Sequence, residues 1–170
     1  MKKLSILSAG ILTILAFSII SFTNSCQQDK CKDITCLNGG TCTDGTCTCP
    51  AGYSGTDCGN LNRSAFIKNW NVVSNSCLGG TGGWTVTVVA GSGADDIILQ
   101  NFGHFICGSG PINISAKVTS ATAFTIPSQL VCGTTYDGSG SLNGTSLNVT
   151  YNWSDPTQVP TTGSCSEVYN

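Results

Sequence analysis

Charge is scarce in this sequence. Lys, Arg, Asp and Glu together account for 9% of its 170 residues, and the formal net charge is −2. The seven basic residues form no cluster able to neutralise phosphates, so nucleic acid is excluded as a partner. There is a single histidine, His104, inside Asn101-Phe102-Gly103-His104-Phe105. A hydrolytic triad would need it beside a nucleophile and an orienting carboxylate, and no nucleophile-elbow motif exists. His104 therefore reads as a turn or strand-edge residue. Asp95 and Asp96 are adjacent, so in a strand they would point to opposite faces; they read as a solvated turn and not as an acid/base pair. No glycine loop follows a strand and opens a helix in the phosphate-binding manner. The chain is expected to carry no catalytic site and no cofactor.

What is abundant is small, polar or sulfur-bearing. Eleven cysteines are too many for a reduced cytosolic protein of this size and point to an oxidising compartment. Zinc is a poor alternative, because one histidine is available and the cysteine spacings do not repeat as metal-binding pairs. Gly, Ser, Thr and Asn suit short strands and tight turns better than helices.

The chain opens with Lys2 and Lys3, an apolar stretch from Leu4 to Phe22, and then Thr23, Asn24, Ser25 and Cys26. This is the layout of a secretory signal, placing a removed segment at 1–25. A transmembrane helix is the rival, since about 20 apolar residues span a bilayer, but Ser and Thr interrupt the run and no basic flank follows it. Ser21-Phe22-Thr23-Asn24-Ser25-Cys26 resembles the end of a bacterial lipoprotein signal in the looser form of the Bacteroidetes group: Ser25 fits before the cysteine, and Thr23 stands where leucine is usual. The resemblance implies a lipidated Cys26 as mature N-terminus. Cysteine arithmetic agrees, because six cysteines fall in the next segment and four in the remainder, leaving Cys26 over. Acylation would anchor the chain to a membrane, each buried methylene contributing about 0.8 kcal/mol. The implied location is the bacterial cell envelope, as an outer-membrane lipoprotein on its periplasmic or exposed side; a soluble secreted chain is the alternative.

Residues 31–58 read Cys31-x4-Cys36-Leu37-Asn38-Gly39-Gly40-Thr41-Cys42-x4-Cys47-x-Cys49-Pro50-Ala51-Gly52-Tyr53-Ser54-Gly55-x2-Cys58. Six cysteines allow fifteen pairings, and spacing does not choose among them. The segment resembles the EGF-like family, which implies the pairs Cys31–Cys42, Cys36–Cys47 and Cys49–Cys58. Such a short segment with few large apolar side chains cannot build a core, and bridges worth typically 2–4 kcal/mol each substitute for one. Gly39, Gly40, Gly52 and Gly55 are expected in turns needing positive φ. Calcium is not expected: Gln27-Gln28-Asp29-Lys30 offers few of the six to eight oxygens that the ion requires.

After a linker at 59–63, residues 64–170 alternate with period two. Trp84, Val86 and Val88 form one such series; Ile112, Ile114, Ala116 and Val118 another; Leu147, Val149, Tyr151 and Trp153 a third. Ala65–Val73, Asp95–Phe102 and Ala123–Ile126 are further strand candidates. Asn143-Gly144 signals a two-residue hairpin, and Gly79-Gly80, Gly91-Ser92-Gly93 and Gly108-Ser109-Gly110 signal turns. The expected fold is an all-β domain of about eight antiparallel strands, either a meandering barrel or an open sandwich. Gly82-Gly83-Trp84 is similar to a Gly-x-Trp feature of lipocalin-like barrels, though Trp84 also reads simply as core. Cys77, Cys107, Cys132 and Cys165 can pair in three ways; Cys77–Cys165 is favoured because it ties the first strand region to the last, leaving Cys107–Cys132.

These features lead to an expected lipid-anchored envelope protein with a binding or structural role toward a protein or glycan. The alternatives are a carrier holding a small apolar ligand inside the barrel, or a secreted eukaryotic glycoprotein using sequons at Asn62, Asn113, Asn143, Asn148 and Asn152.

Overall fold

The computed structural model describes residues 29–78 and 80–170; the export segment and Cys26 lie outside the described residues. The chain first forms two small hairpins, β1 (Thr41–Thr43) with β2 (Thr46–Thr48), and β3 (Tyr53–Ser54) with β4 (Asn60–Leu61). Asp44-Gly45 links β1 to β2 with φ of 50° and 85°, the two positive values that let a two-residue turn follow the strand twist. Cystine bridges hold this module: Cys31–Cys42, Cys36–Cys47 and Cys49–Cys58, with Cα separations of 5.3–5.9 Å. Gly39, Gly52 and Gly55 have positive φ, but Gly40 does not. Its constraint is space, since a Cβ there would lie 2.8 Å from the Cys58 sulfur.

The second part is a closed barrel of eight antiparallel strands: β5 (Asn69–Asn75), β6 (Trp84–Ala90), β7 (Asp96–Gln100), β10 (Asn113–Ser120), β11 (Ala123–Val131), β12 (Thr134–Asn143), β13 (Ser146–Ser154) and β14 (Thr162–Tyr169). Each strand pairs with the next, and β14 returns to β5, so the sheet has no free edge and the sandwich alternative falls away. A minor hairpin, β8 (Ile106–Cys107) with β9 (Gly110–Pro111), is inserted between β7 and β10. Among the described residues there is no α-helix, only 3-10 turns at Asn62–Ala65, Ser76–Leu78 and Phe102–His104.

The alternating residues point inward as their period demands. Val86, Val88, Ile114, Ala116, Val118, Leu147, Val149 and Tyr151 are buried in one cluster. The strand expected at Ala65–Val73 begins only at Asn69, because the 3-10 turn before it drives Phe66 into the barrel, where it is fully buried. Two barrel strands have no clean apolar alternation. In β12, Gly140 faces inward and the Phe124 ring fills its place, so that a Cβ there would overlap the ring. In β14 the inward positions are Cys165, Glu167 and Tyr169. The β12–β13 turn also sits one residue later than Asn143-Gly144, since Asn143 pairs with Ser146 and leaves Gly144-Thr145 as the loop.

Candidate functional site

In a meander, successive connections fall alternately at the two ends of the barrel, and here the ends are built differently. One end carries the chain entry into β5, the turn 91–95, the hairpin turns 121–122 and 144–145, and the end of β14. The cystine module docks on it. Gly52 has φ 86°, and a Cβ there would lie 2.7 Å from the Ala94 carbonyl carbon, so only glycine allows this approach. Arg63 donates from Nη1 to the Gly91 carbonyl at 3.2 Å and to the Gly93 carbonyl. Residues 59–63 are therefore ordered structure, with Asn60 and Leu61 in β4 and Asn62 buried against Ser54. Phe66 closes the end from inside, edge-on to Phe124 at 5.4 Å, and Trp70 Nε1 donates to the Phe66 carbonyl at 2.8 Å.

The opposite end carries longer loops, 76–83, 101–112 and 155–161, and the tight turn Cys132-Gly133. Two bridges sit there. Cys77–Cys165 joins segments 88 residues apart across the β5–β14 seam, and Cys107–Cys132 ties the 101–112 loop to the β11–β12 turn. Phe102 is fully buried beneath the loop, 4.6 Å from the Tyr151 ring. Outside that plug lies a half-open cavity of about 390 Å³, within the usual range for small-molecule sites.

Two rungs of the β12–β13 hairpin build its wall. Tyr136 faces Trp153 across the ladder, and one step further out Thr134 lies beside Asp155. Phe105 covers the site from the 101–112 loop, its ring 5.9 Å from that of Tyr136, and Gln158 borders it from the 155–161 loop. Backbone bonds pin Phe105: its N–H donates to Phe102 and its carbonyl accepts from Ile112. Trp153 lies over Gly163, where a Cβ would come 2.6 Å from the indole. Asp155 is fixed by the Thr157 N–H at 2.8 Å, the Thr157 hydroxyl at 2.7 Å and the Thr134 hydroxyl at 3.2 Å. These donors, Thr157 foremost, hold its carboxyl below the usual range, so it is ionised at neutral pH. Ile106 and Val159, next to Phe105 and Gln158 in sequence, are 67% and 98% exposed.

Deeper in the barrel lies a buried polar group. Glu167 accepts from the Tyr151 hydroxyl at 3.3 Å, from Tyr169 and from the Asn75 amide. Burial pushes its carboxyl above the ordinary range, against the opposing effect of those donors, and no basic side chain pairs with it among the described contacts.

His104 and the Asp95-Asp96 pair, read from the sequence as turn residues, lie apart in the fold. His104 is exposed in a left-handed turn conformation (φ 59°) and stacks on Trp84 at 5.3 Å. Asp95 and Asp96 both reach Lys117 on β10, the second also accepting from Gly93 N–H, so they organise the 91–95 turn. Trp84 is a rim residue packed against the core, whereas Trp70 is the fully buried tryptophan. The pocket itself was not apparent in the sequence. Counting outward from a two-residue turn at Asn143-Gly144 would have placed Tyr136 opposite Tyr151; the turn at Gly144-Thr145 puts it opposite Trp153, and the glycine-rich β12 gave no strand signal from which to count. Comparison of the chain with protein-family models, with curated proteins and with solved structures returns no match in any of the three.

Proposed function

We propose that this chain is an exported, non-catalytic binding protein, anchored in a bacterial envelope membrane through acylated Cys26. In this reading an EGF-like module serves as spacer and seat, and the loop-bearing barrel end meets the ligand or partner. The observation that carries it is the opposition of the two ends: the chain enters and docks at one, while the aromatic pocket opens at the other. The bridges support an oxidising compartment, since ten of the eleven cysteines are paired and Cys26 is the one left over.

Ligand binding, in this reading, moves from the barrel interior to its mouth. Phe66, Phe124, Trp70, Tyr151 and Phe102 occupy the interior, as side chains commonly do in an eight-stranded barrel. Mass spectrometry of the mature N-terminus tests the anchor. A diacyl- or triacylglyceryl Cys26 is expected, with Cys26→Ser releasing the protein from the membrane fraction. An unmodified N-terminus elsewhere, with wild-type protein in the soluble fraction, would overturn the reading.

A further inference from the structure

We propose that the loop-end pocket is a site for a small organic cation carrying an alkyl-substituted ammonium group. The inference rests on the reading that this end of the barrel is the binding end and names the chemistry of what it binds. Phe105, Tyr136 and Trp153 contribute three aromatic side chains to one cavity, and Asp155 stands one rung beyond the Tyr136–Trp153 pair.

Ring faces carry negative quadrupolar potential and attract cations, most strongly where water is displaced. A carboxylate beside them adds a full charge of the same preference. None of the lining residues is Lys, Arg or His, so nothing in the wall compensates that charge. Salt bridges elsewhere do not draw on it, because Asp155 spends its hydrogen bonds on Thr157 and Thr134, which are neutral donors. An anion would meet repulsion here. A neutral apolar molecule would cover the rings but leave the charge of the carboxylate unmatched, since its hydrogen-bond partners are all neutral. An alkylammonium satisfies both parts of the wall: its carbon surface covers the rings, and its charge lies toward Asp155. The cavity, at about 390 Å³, is large enough for such an ion with a further substituent.

Calorimetric titration of the mature, disulfide-intact chain tests this with three probes: choline, the neutral isostere in which carbon replaces its quaternary nitrogen, and methyl glucoside. Choline should bind at least about tenfold tighter than the isostere. Asp155→Asn should erase most of that difference, while Asp44→Asn, which removes the same charge from the distant module, should not. Equal binding of choline and its isostere, or binding of the glucoside in place of choline, overturns the cation assignment and leaves the pocket as a binding site. Binding of none of the three overturns both.

Discussion

The two ends of the barrel solve the same problem, closing an eight-stranded cylinder, with different materials. At the module end closure is achieved by contact: Phe66 fills the interior, and Gly52 and Arg63 fit the cystine module against the 91–95 turn. At the loop end it is achieved by covalent bonds, Cys77–Cys165 and Cys107–Cys132, which fix loops over a buried Phe102 but leave space outside it. The difference teaches where a ligand can go. Both ends keep a cavity, about 350 Å³ between the module and the 121–122 turn and about 390 Å³ at the loop end, but only the second has an aromatic wall, carried on loops held by bridges.

The largest expected effects come from removing the plugs. Phe66→Ala and Phe102→Ala should each cost about 3–5 kcal/mol in urea unfolding, as full burial of a large aromatic ring implies. The comparison is sharpened by the pocket: Phe102→Ala should deepen it and change what it binds, and Phe66→Ala should not. Opening Cys107–Cys132 by a double alanine substitution should cost about 2–4 kcal/mol and abolish pocket binding, because Phe105 loses its tether. Loss of stability with binding intact would show that the hydrogen bonds of the 101–112 loop suffice.

A smaller effect is expected at the junction. Gly52→Ala places a Cβ against the Ala94 backbone at a positive φ, and should cost about 1–3 kcal/mol, seen as faster proteolysis between module and barrel. If the cleavage rate is unchanged, the module does not depend on this seat. The subtlest test concerns Glu167. Its carboxyl is held above the ordinary range, so the folded state binds its proton more tightly than the unfolded state. That stabilisation is full below the unfolded value, about pH 4.3, and is lost as pH rises through the folded one. Glu167→Gln should remove this decline, read as the difference between wild-type and variant unfolding midpoints at pH 4 and pH 7. Asp96 and Asp155 are shifted the opposite way and remain common to both proteins.

Much of the barrel was legible residue by residue. Strands β6, β10 and β13 announce themselves because one face of each is lined by large apolar or aromatic side chains, and alternation records that directly. Strands β12 and β14 do not, for two physical reasons. Gly140 yields its volume to Phe124, a ring belonging to a neighbouring strand, and Glu167 is tolerated inside because Asn75, Tyr151 and Tyr169 surround it. Cys132-Gly133, with φ of 55° and 82°, makes a two-residue hairpin turn that no usual turn pair signals.

By itself, then, the sequence determined an oxidised, β-rich chain whose apolar faces alternate and whose cysteines fall into a group of six and a group of four with Cys26 apart. Those are properties of neighbours along the chain and of composition. Tertiary structure alone decided that the sheet closes, that the module sits on one end, and that Phe105, Tyr136, Trp153 and Asp155 share a cavity at the other. The reason is that a pocket depends on register between strands and on loops folded over them, and register is settled by packing across the whole barrel.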